Sequence, residues 1–197
     1  LFESVLRALR ITCRLIMVGD SDQLPSVGAG NVLKDMIDSK SLPVVELKEI
    51  FRQAQKSCIV TNAHKILNGE YPELSKKDND FFFFQRLGSD KASESVVDLC
   101  CRRLPKAYGY SSVDDIQILC PSRKGLLGVI ELNKKLQLVL NPPKKEKSEI
   151  RSLIYTFRIG DKVMQTKNNY DIIWKRENDE GTGIFNGDIG KIISINK

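Results

Sequence analysis

Short apolar runs alternate with helix-type patterns along most of the chain, and this alternation most constrains the fold. The apolar runs are RLIMV, PVVELKEI, FFFFQ and DIQILCP, at residues 14–18, 43–50, 81–85 and 115–121. Apolar residues at helical spacing occupy residues 29–39, 57–69, 93–104 and 126–143. Continuous apolar runs are typical of strands that are buried on both faces. Strands that alternate with helices favour an α/β fold with a mostly parallel sheet.

The pattern changes after Pro143, where a charged connector leads into two β-type segments. FRIGDKVMQTKNNYDI and GIFNGDIGKIISI carry turn signals at Gly160 and Asp161 and at residues 186–188, and the polar stretch KRENDEGTG lies between them. This pattern predicts hairpins of a small antiparallel barrel or sheet. The chain opens on a helical pattern without Met, so we expect it to be an internal piece of a longer protein.

Composition sets broad limits on function. The formal net charge of +6 leans towards a polyanionic partner, although a surplus of this size is common in proteins that bind no nucleic acid. The five cysteines form no C-x-x-C pair and there is one histidine, so we expect neither a metal site nor a disulfide framework. No apolar run approaches the ~20 residues that span a bilayer, and we expect a cytoplasmic protein.

The loop after the first apolar run is a candidate ligand site. Gly19, Asp20 and Gln23 lie at the predicted carboxyl end of a strand, where open α/β sheets bind their ligands. The neutral amide of Gln23 has both a donor and an acceptor, which suits contact with a phosphate oxygen or an attacking water. An ordinary strand-to-helix turn would also explain these residues.

Arg52 is the second candidate, because the apolar pair Ile50 and Phe51 would fix its direction. A fixed guanidinium suits a phosphate, whereas a surface ion pair is the plain alternative. The phosphate-binding pattern G-x-x-x-x-G-K-S/T is absent from the sequence. The adjacent acidic pair Asp179 and Glu180 lies in the polar stretch and does not follow an apolar strand.

Together these blocks resemble a known family. GDSDQLPSVGAGNVLKDMI, LKEIFRQAQKSCIVTNAHKILNG, ILCPSRKGLLGVIELNKKLQLVLNP and the pair FRIGDKVMQTKNNYD and GIFNGDIGKI resemble, in collinear order, the RecD/TraA family of superfamily 1B DNA helicases. This family includes the alpha subunit of exodeoxyribonuclease V. The resemblance implies a RecA-like α/β fold with an SH3-like β insertion. It further implies that residues 1–48 end a first RecA-like domain, 49–150 form most of a second, and 151–197 begin the insertion.

The resemblance also assigns roles to residues. GDSDQLP is similar to helicase motif III, which implies that Gln23 contacts the γ-phosphate, with Asp20 as a supporting acid and Gly19 in the same loop. IFRQ is similar to motif IV, which implies that Arg52 reaches the γ-phosphate. Contacts to single-stranded DNA are implied for two groups, one in CPSRKG and one in NNY: Ser122, Arg123, Lys124, Asn168, Asn169 and Tyr170.

The implied function is an ATP- and Mg²⁺-dependent motor that moves on single-stranded DNA in the 5′ to 3′ direction, in recombination and repair, with RecB- and RecC-type subunits as potential partners. Because the main phosphate-binding loop is absent from this chain, we expect the chain alone not to hydrolyse ATP. Two alternatives stay open, a non-catalytic nucleic-acid-binding module and an α/β scaffold with no nucleic-acid role.

Overall fold

The computed structural model describes residues 1–25, 28–47, 56–76, 80–176 and 179–196. The chain divides into two compact units, Leu1–Phe84 (unit 1) and Gln85–Lys197 (unit 2). Each unit is described by itself. No helix among the described residues is long and apolar enough to cross a membrane.

The described residues of unit 1 include the helices α1 (Phe2–Ala8), α2 (Val32–Ser39) and α3 (Cys58–Leu67). All three were predicted by helical spacing of apolar residues, and the structure confirms them. The start of α3 is fixed by side chains, because Ser57 Oγ accepts a hydrogen bond from the Val60 amide at 3.2 Å. The Asp80 carboxylate accepts from Ser57 Oγ at 2.5 Å and from the Cys58 amide at 2.7 Å. Asp80 thereby satisfies donors that a helix start leaves without an intrahelical partner.

The buried face of α3 differs from the predicted one. Apolar spacing predicts that Ile59, Ile66 and Leu67 are buried, yet all three are exposed. Asn62 is instead 1% exposed, and its amide exchanges two hydrogen bonds with the Glu73 backbone, at 2.7 and 3.0 Å. The spacing of apolar residues located the helix correctly. The face of α3 that is buried is instead set by the hydrogen bonds between Asn62 and the Glu73 backbone.

The predicted parallel sheet is not present among the described residues. The four apolar runs form no strand ladder there, and every strand pair that the structure contains is antiparallel. Ile16, Val18 and Leu119 are 83%, 93% and 89% exposed, whereas strands of a parallel sheet are buried on both faces. A strand requires a ladder of hydrogen bonds to a neighbouring strand, and no such ladder includes the described residues of these runs.

Unit 2 begins with a long irregular helical stretch. Helix α4 (Ser89–Asp98) leads through a π-helical turn at Leu99–Arg103 into α5 (Leu104–Tyr108), which ends at Gly109 in the left-handed conformation. The sequence predicts a stop at Pro105, and this prediction is wrong. Pro105 lies in the first turn of α5, where a helix needs no amide donor, so the chain continues in helical form.

The next helix, α6 (Val129–Leu140), confirms its prediction and packs on α4. Leu132 of α6 is 3% exposed, and Lys135 donates from Nζ to the fully buried Ser93 of α4 at 2.9 Å. Cys100 of the π-helical turn is also buried. The core of unit 2 is therefore small and lies between α4, the π-helical turn and α6.

Six short strands complete unit 2: β1 (Glu149–Arg151), β2 (Thr156–Arg158), β3 (Lys162–Met164), β4 (Asn169–Arg176), β5 (Asp179–Ile184) and β6 (Ile189–Lys191). The antiparallel pairs are β1 with β2, β3 with β6, and β4 with β5. Val163 lies opposite Gly190, and Trp174 opposite Gly181. The predicted antiparallel character is confirmed, and the polar stretch KRENDEGTG supplies parts of β4 and β5. The charged connector before the β-type segments is not only a loop, because it contains β1.

Candidate nucleotide and nucleic-acid contacts

The loop at residues 19–23 is held by one carboxylate. Asp20 Oδ1 accepts a hydrogen bond from the Asp22 amide at 3.0 Å, and Asp20 Oδ2 accepts from Gln23 Nε2 at 2.9 Å. Both hydrogen bonds lower the pKa of Asp20 below its ordinary value of 3.8, and the bond from the Asp22 amide has the larger effect. Asp20 is therefore ionised at neutral pH, and it fixes the direction of the Gln23 amide.

Gly19 lies against helix α2. A Cβ atom at this position would lie 2.7 Å from Leu33 Cδ2, closer than real Cβ atoms approach their neighbours. A residue with a side chain would displace Leu33, so glycine lets the loop and α2 come together. Asp20 and Gln23 are both exposed, and the loop presents a held, neutral amide to whatever binds there.

The predicted motif around Arg52 lies outside the described residues. The nearest described elements are α3 and its cap, where Asp80 holds Ser57 and Cys58. Asp80 thus fixes the start of α3 at its N-cap Ser57, five residues after Arg52 in the sequence.

A second candidate site is the loop at residues 121–128, here termed the track loop. The Ser122 and Arg123 carbonyls accept hydrogen bonds from the Val129 and Ile130 amides at 3.1 and 3.2 Å. The track loop therefore folds back over the start of α6. A Cβ atom on Gly128 would lie 2.5 Å from the Lys124 carbonyl oxygen, so only glycine allows this close approach.

The fold-back limits what the track loop can do. Amides at a helix start commonly bind anions, but the Val129 and Ile130 amides are already paired with carbonyls of the loop. Ser122 Oγ donates to the Lys124 carbonyl at 2.9 Å, which leaves Ser122 a part of the loop's own structure. The exposed side chains of Arg123 and Lys124 remain as the groups that can reach a phosphate.

The third candidate group, residues 168–170, lies at the start of β4. Asn168 Oδ1 accepts from the Asn186 amide at 2.8 Å, and Asn168 Nδ2 donates to the Tyr170 hydroxyl at 3.2 Å. The Tyr170 ring meets the edge of Phe185 with ring centroids 5.8 Å apart. Asn169 Oδ1 accepts from the Asp171 amide at 3.1 Å, so both asparagines order the chain around an exposed tyrosine.

Comparisons with known proteins match both ends of the chain to family models. Residues 132–197 match a family described as the ATP-dependent RecD-like DNA helicase SH3 domain, and residues 2–82 match one described as an AAA domain. Over 96% of its length the chain is 34% identical to an ATP-dependent RecD2 DNA helicase of Deinococcus radiodurans, and it covers 23% of that protein. Its identity to the RecBCD enzyme subunit RecD of Mycolicibacterium smegmatis is 26% over 96% of the chain, covering 33% of that subunit. The chain is therefore similar to RecD-type helicases along nearly its whole length.

Two features follow from these matches. The chain spans between about a quarter and a third of the length of the relatives it matches. The SH3-like match begins within α6 and includes all six strands, which confirms the expected SH3-like β region. The AAA match contains the loop at residues 19–23.

Within this RecD-like chain the structure brings together some predicted residues and separates others. Gly19, Asp20 and Gln23 form one loop in unit 1, whereas the track loop and residues 168–170 are two separate places in unit 2. Sequence reasoning missed Asp80, which caps α3, because only the fold brings it to residues more than twenty positions away. It also missed Gly128, whose place just before a helix was the available signal.

Among the residues that the structure describes, no group of three His, Cys, Asp or Glu could hold a metal ion. The acidic pair Asp179 and Glu180 opens β5, and Glu180 pairs with Lys175 at 3.4 Å on an exposed surface. This pair does not have the arrangement of magnesium ligands at a phosphate site.

Proposed function

We propose that this chain is part of an ATP-dependent DNA helicase motor of the RecD type that moves along single-stranded DNA in the 5′ to 3′ direction. The observation that carries the proposal is the match to a RecD-type DNA helicase over 96% of the chain, which includes the loop where Asp20 holds the Gln23 amide. Matches to RecBCD subunits RecD support RecB- and RecC-type proteins as partners in the complete protein.

The nucleotide is ATP, and Gln23 is its sensor in unit 1. An amide held by an ionised Asp20 fits contact with a γ-phosphate oxygen, because it offers a donor and an acceptor without adding charge. Arg52 would supply the positive charge that phosphoryl transfer requires. The described residues do not fit a magnesium site, so Mg²⁺ would be held by other residues of the complete protein.

The DNA contacts are in unit 2. Arg123 and Lys124 would bind backbone phosphates, because both are exposed and the rigid track loop fixes where they emerge. Tyr170, supported by Phe185 and Asn168, offers an exposed ring on which a base can stack. Asn168 and Asn169 would contribute to DNA binding indirectly, because their hydrogen bonds order the chain around Tyr170.

The domain assignment is part of the same proposal. Residues 1–48 would complete a first RecA-like domain, 49–150 would form most of a second, and 151–197 would begin the SH3-like insertion. The apolar sequences of residues 14–18 and 115–121 support this assignment, because continuous apolar runs are typical of strands in a parallel sheet. The described chain lacks a phosphate-binding loop, so the isolated chain would not hydrolyse ATP.

The test is an ATPase and unwinding assay on the complete protein that contains this chain. We expect ATP hydrolysis that single-stranded DNA stimulates, and displacement of a strand from duplexes with a 5′ tail but not from duplexes with a 3′ tail. The 197-residue chain alone, assayed in parallel, should bind single-stranded DNA without turnover. Displacement only from 3′-tailed duplexes would refute the direction. DNA binding without any ATPase activity of the complete protein would instead establish the non-catalytic binding module.

A further inference from the structure

The carboxylate of Asp161 is the centre of a hydrogen-bond network that none of the roles above explains. Asp161 Oδ2 accepts from Gln137 Nε2 at 2.5 Å and from the Arg158 amide at 2.7 Å, and Asp161 Oδ1 accepts from Asn141 Nδ2 at 2.7 Å. Gln137 belongs to α6 and Asn141 is its C-cap. Arg158 ends β2, so a single carboxylate joins the helix to the strands.

A second set of contacts closes the same joint. Arg158 is 4% exposed, and its guanidinium donates to the Asn141 carbonyl oxygen and, at 2.6 Å, to Glu149 Oε1 on β1. Gln137 Nε2 also donates to the Thr156 carbonyl at 2.7 Å. Charged groups out of water are costly unless they are paired. Arg158 is paired with Glu149 within the β1–β2 pair and bonded across to the end of α6 through the Asn141 carbonyl.

The backbone of Asp161 extends the joint to β6. Its carbonyl accepts from the Ile192 amide at 2.9 Å, and the Gly160 amide donates to the Ile192 carbonyl at 2.8 Å. The turn at Gly160 and Asp161 therefore touches α6 through side chains and the end of β6 through the backbone. This turn was predicted from sequence only as a break between strands.

The two ends of α6 now have different attachments. Its first amides bind carbonyls of the track loop, and its last turn binds the turn around Asp161. A helix of 12 residues is about 18 Å long and stiff. The track loop and the β-segment (residues 149–191) are therefore attached to opposite ends of the same helix, α6.

We infer that Asp161 is a positioning residue that locks the β-segment to α6, so that the track loop and residues 168–170 form one rigid surface for a single DNA strand. This inference rests on the proposed function, because single-stranded DNA is the ligand only if that proposal holds. Two contact sites at a fixed separation bind one long strand more tightly than two loosely joined sites, because the second contact becomes intramolecular. Breaking the lock should weaken binding only for strands long enough to reach both sites.

The lock itself is tested with Trp174, the one tryptophan of the chain, which lies on β4 over Gly181. In the 197-residue chain, time-resolved fluorescence anisotropy of Trp174 should show tumbling with the whole of unit 2. Asp161→Asn places an amide where three donors converge, and it should add a faster component on the nanosecond scale. The matched control is Asp171→Asn, the same change at an exposed position of β4. An Asp161→Asn decay like that of the wild type would overturn the inference.

The second readout is DNA length. With the same chain, Asp161→Asn should lower the affinity for a ~20-nucleotide thymidine strand by about tenfold or more, while the affinity for a ~5-nucleotide strand changes less than about twofold. Equal losses for both strands would show a purely structural role and refute positioning. If Asp161→Asn does not fold, Gln137→Met removes one donor and leaves the carboxylate its other two.

The two proposals fail in distinguishable ways. A wild-type chain and complete protein that bind no strand of either length would refute the proposed function. The inferred DNA surface would fall with it, whereas the anisotropy decay of Trp174 would still decide whether Asp161 locks the β-segment. Normal binding and normal ATPase activity together with an unchanged length dependence in Asp161→Asn would refute the positioning role alone.

Discussion

The two units differ most clearly in charge. Residues 1–84 carry eleven basic and eleven acidic side chains, whereas residues 85–197 carry twenty basic and fourteen acidic ones. The whole net charge of +6 therefore belongs to unit 2. The net charge of the complete sequence is only weak evidence for a nucleic-acid partner. Its location in unit 2 is stronger evidence, because the excess of basic side chains lies in the same unit as the candidate DNA contacts.

The units also differ in how they use their carboxylates. The pKa values of Asp20, Glu73 and Asp80, all in unit 1, are lowered, chiefly by hydrogen bonds from the Asp22 amide, the Ser75 hydroxyl and the Ser57 hydroxyl respectively. In unit 2 burial raises the pKa of the Cys100 and Cys101 thiols. In unit 1 these acids order the loop at Gln23, the chain at Ser75 and the start of α3, whereas in unit 2 the acid Asp161 joins the end of α6 to the strands.

The largest expected effect would test unit 1 as the nucleotide side. In the complete protein, Arg52→Ala should lower kcat for ATP about 1000-fold, because the charge that develops on the phosphoryl group loses its partner. Gln23→Ala should also reduce DNA-stimulated turnover, and neither change should alter DNA affinity without nucleotide. Steady-state kinetics with Arg7→Ala, an exposed arginine paired with Glu3, provides the control. An unchanged kcat in both Arg52→Ala and Gln23→Ala would refute the assignment of the nucleotide contacts to unit 1.

The next effect concerns the stability of unit 2. Gly128→Ala should destabilise it by about 1–3 kcal/mol, because the new Cβ would overlap the Lys124 carbonyl oxygen. Urea unfolding followed by circular dichroism measures the change. Gly190→Ala is the matched control, since nothing lies within 4 Å of its Cβ position. Equal stability of the two variants would mean that the track loop is not closed over α6.

A smaller effect sharpens the assignment of DNA binding to unit 2. Arg123→Ala and Lys124→Ala should each reduce the slope of log K against log salt by about 0.7 for a single strand, as one phosphate contact is lost. Fluorescence anisotropy of a labelled strand across a salt series gives the slope. Lys134→Ala, whose ammonium pairs with Glu131 at 2.7 Å, should leave the slope unchanged. A slope that falls equally for Lys134→Ala would point to a diffuse basic surface.

The smallest effect is pH dependence, which should be a property of unit 1. A carboxylate whose pKa is lowered on folding contributes stability above its unfolded value and loses it as pH falls through the lower folded value. Acid should therefore weaken unit 1 below about pH 4.5 for Glu73 and 3.8 for Asp20 and Asp80. Urea midpoints at pH 3 and pH 7 measure this loss, which Asp80→Asn should reduce. An equal loss in Asp80→Asn would show that other groups carry it.

The sequence by itself determined the local elements and the chemistry of the candidate sites. Helices α2, α3 and α6 follow from apolar spacing, because a helix is made of hydrogen bonds between residues four apart. The turn signals and alternation after residue 156 were enough to predict antiparallel strands. Gln23 was identifiable because its neutral amide, placed after an apolar run, suits phosphate contact. Arg123 and Lys124 became candidates only through the resemblance of CPSRKG to the RecD/TraA helicases.

The tertiary structure decided everything that depends on residues distant in the chain. Apolar spacing chose the wrong face of α3, because the buried Asn62 finds its partner eleven residues away, at Glu73. Pro105 did not end the helical stretch, because it lies in the first turn of α5, where a helix needs no amide donor. Asp161 was visible only as a turn residue, and its role in joining α6 to the strands exists through contacts 20 and 24 residues apart. Strand pairing and buried polar networks are non-local, and no short window of sequence contains both partners.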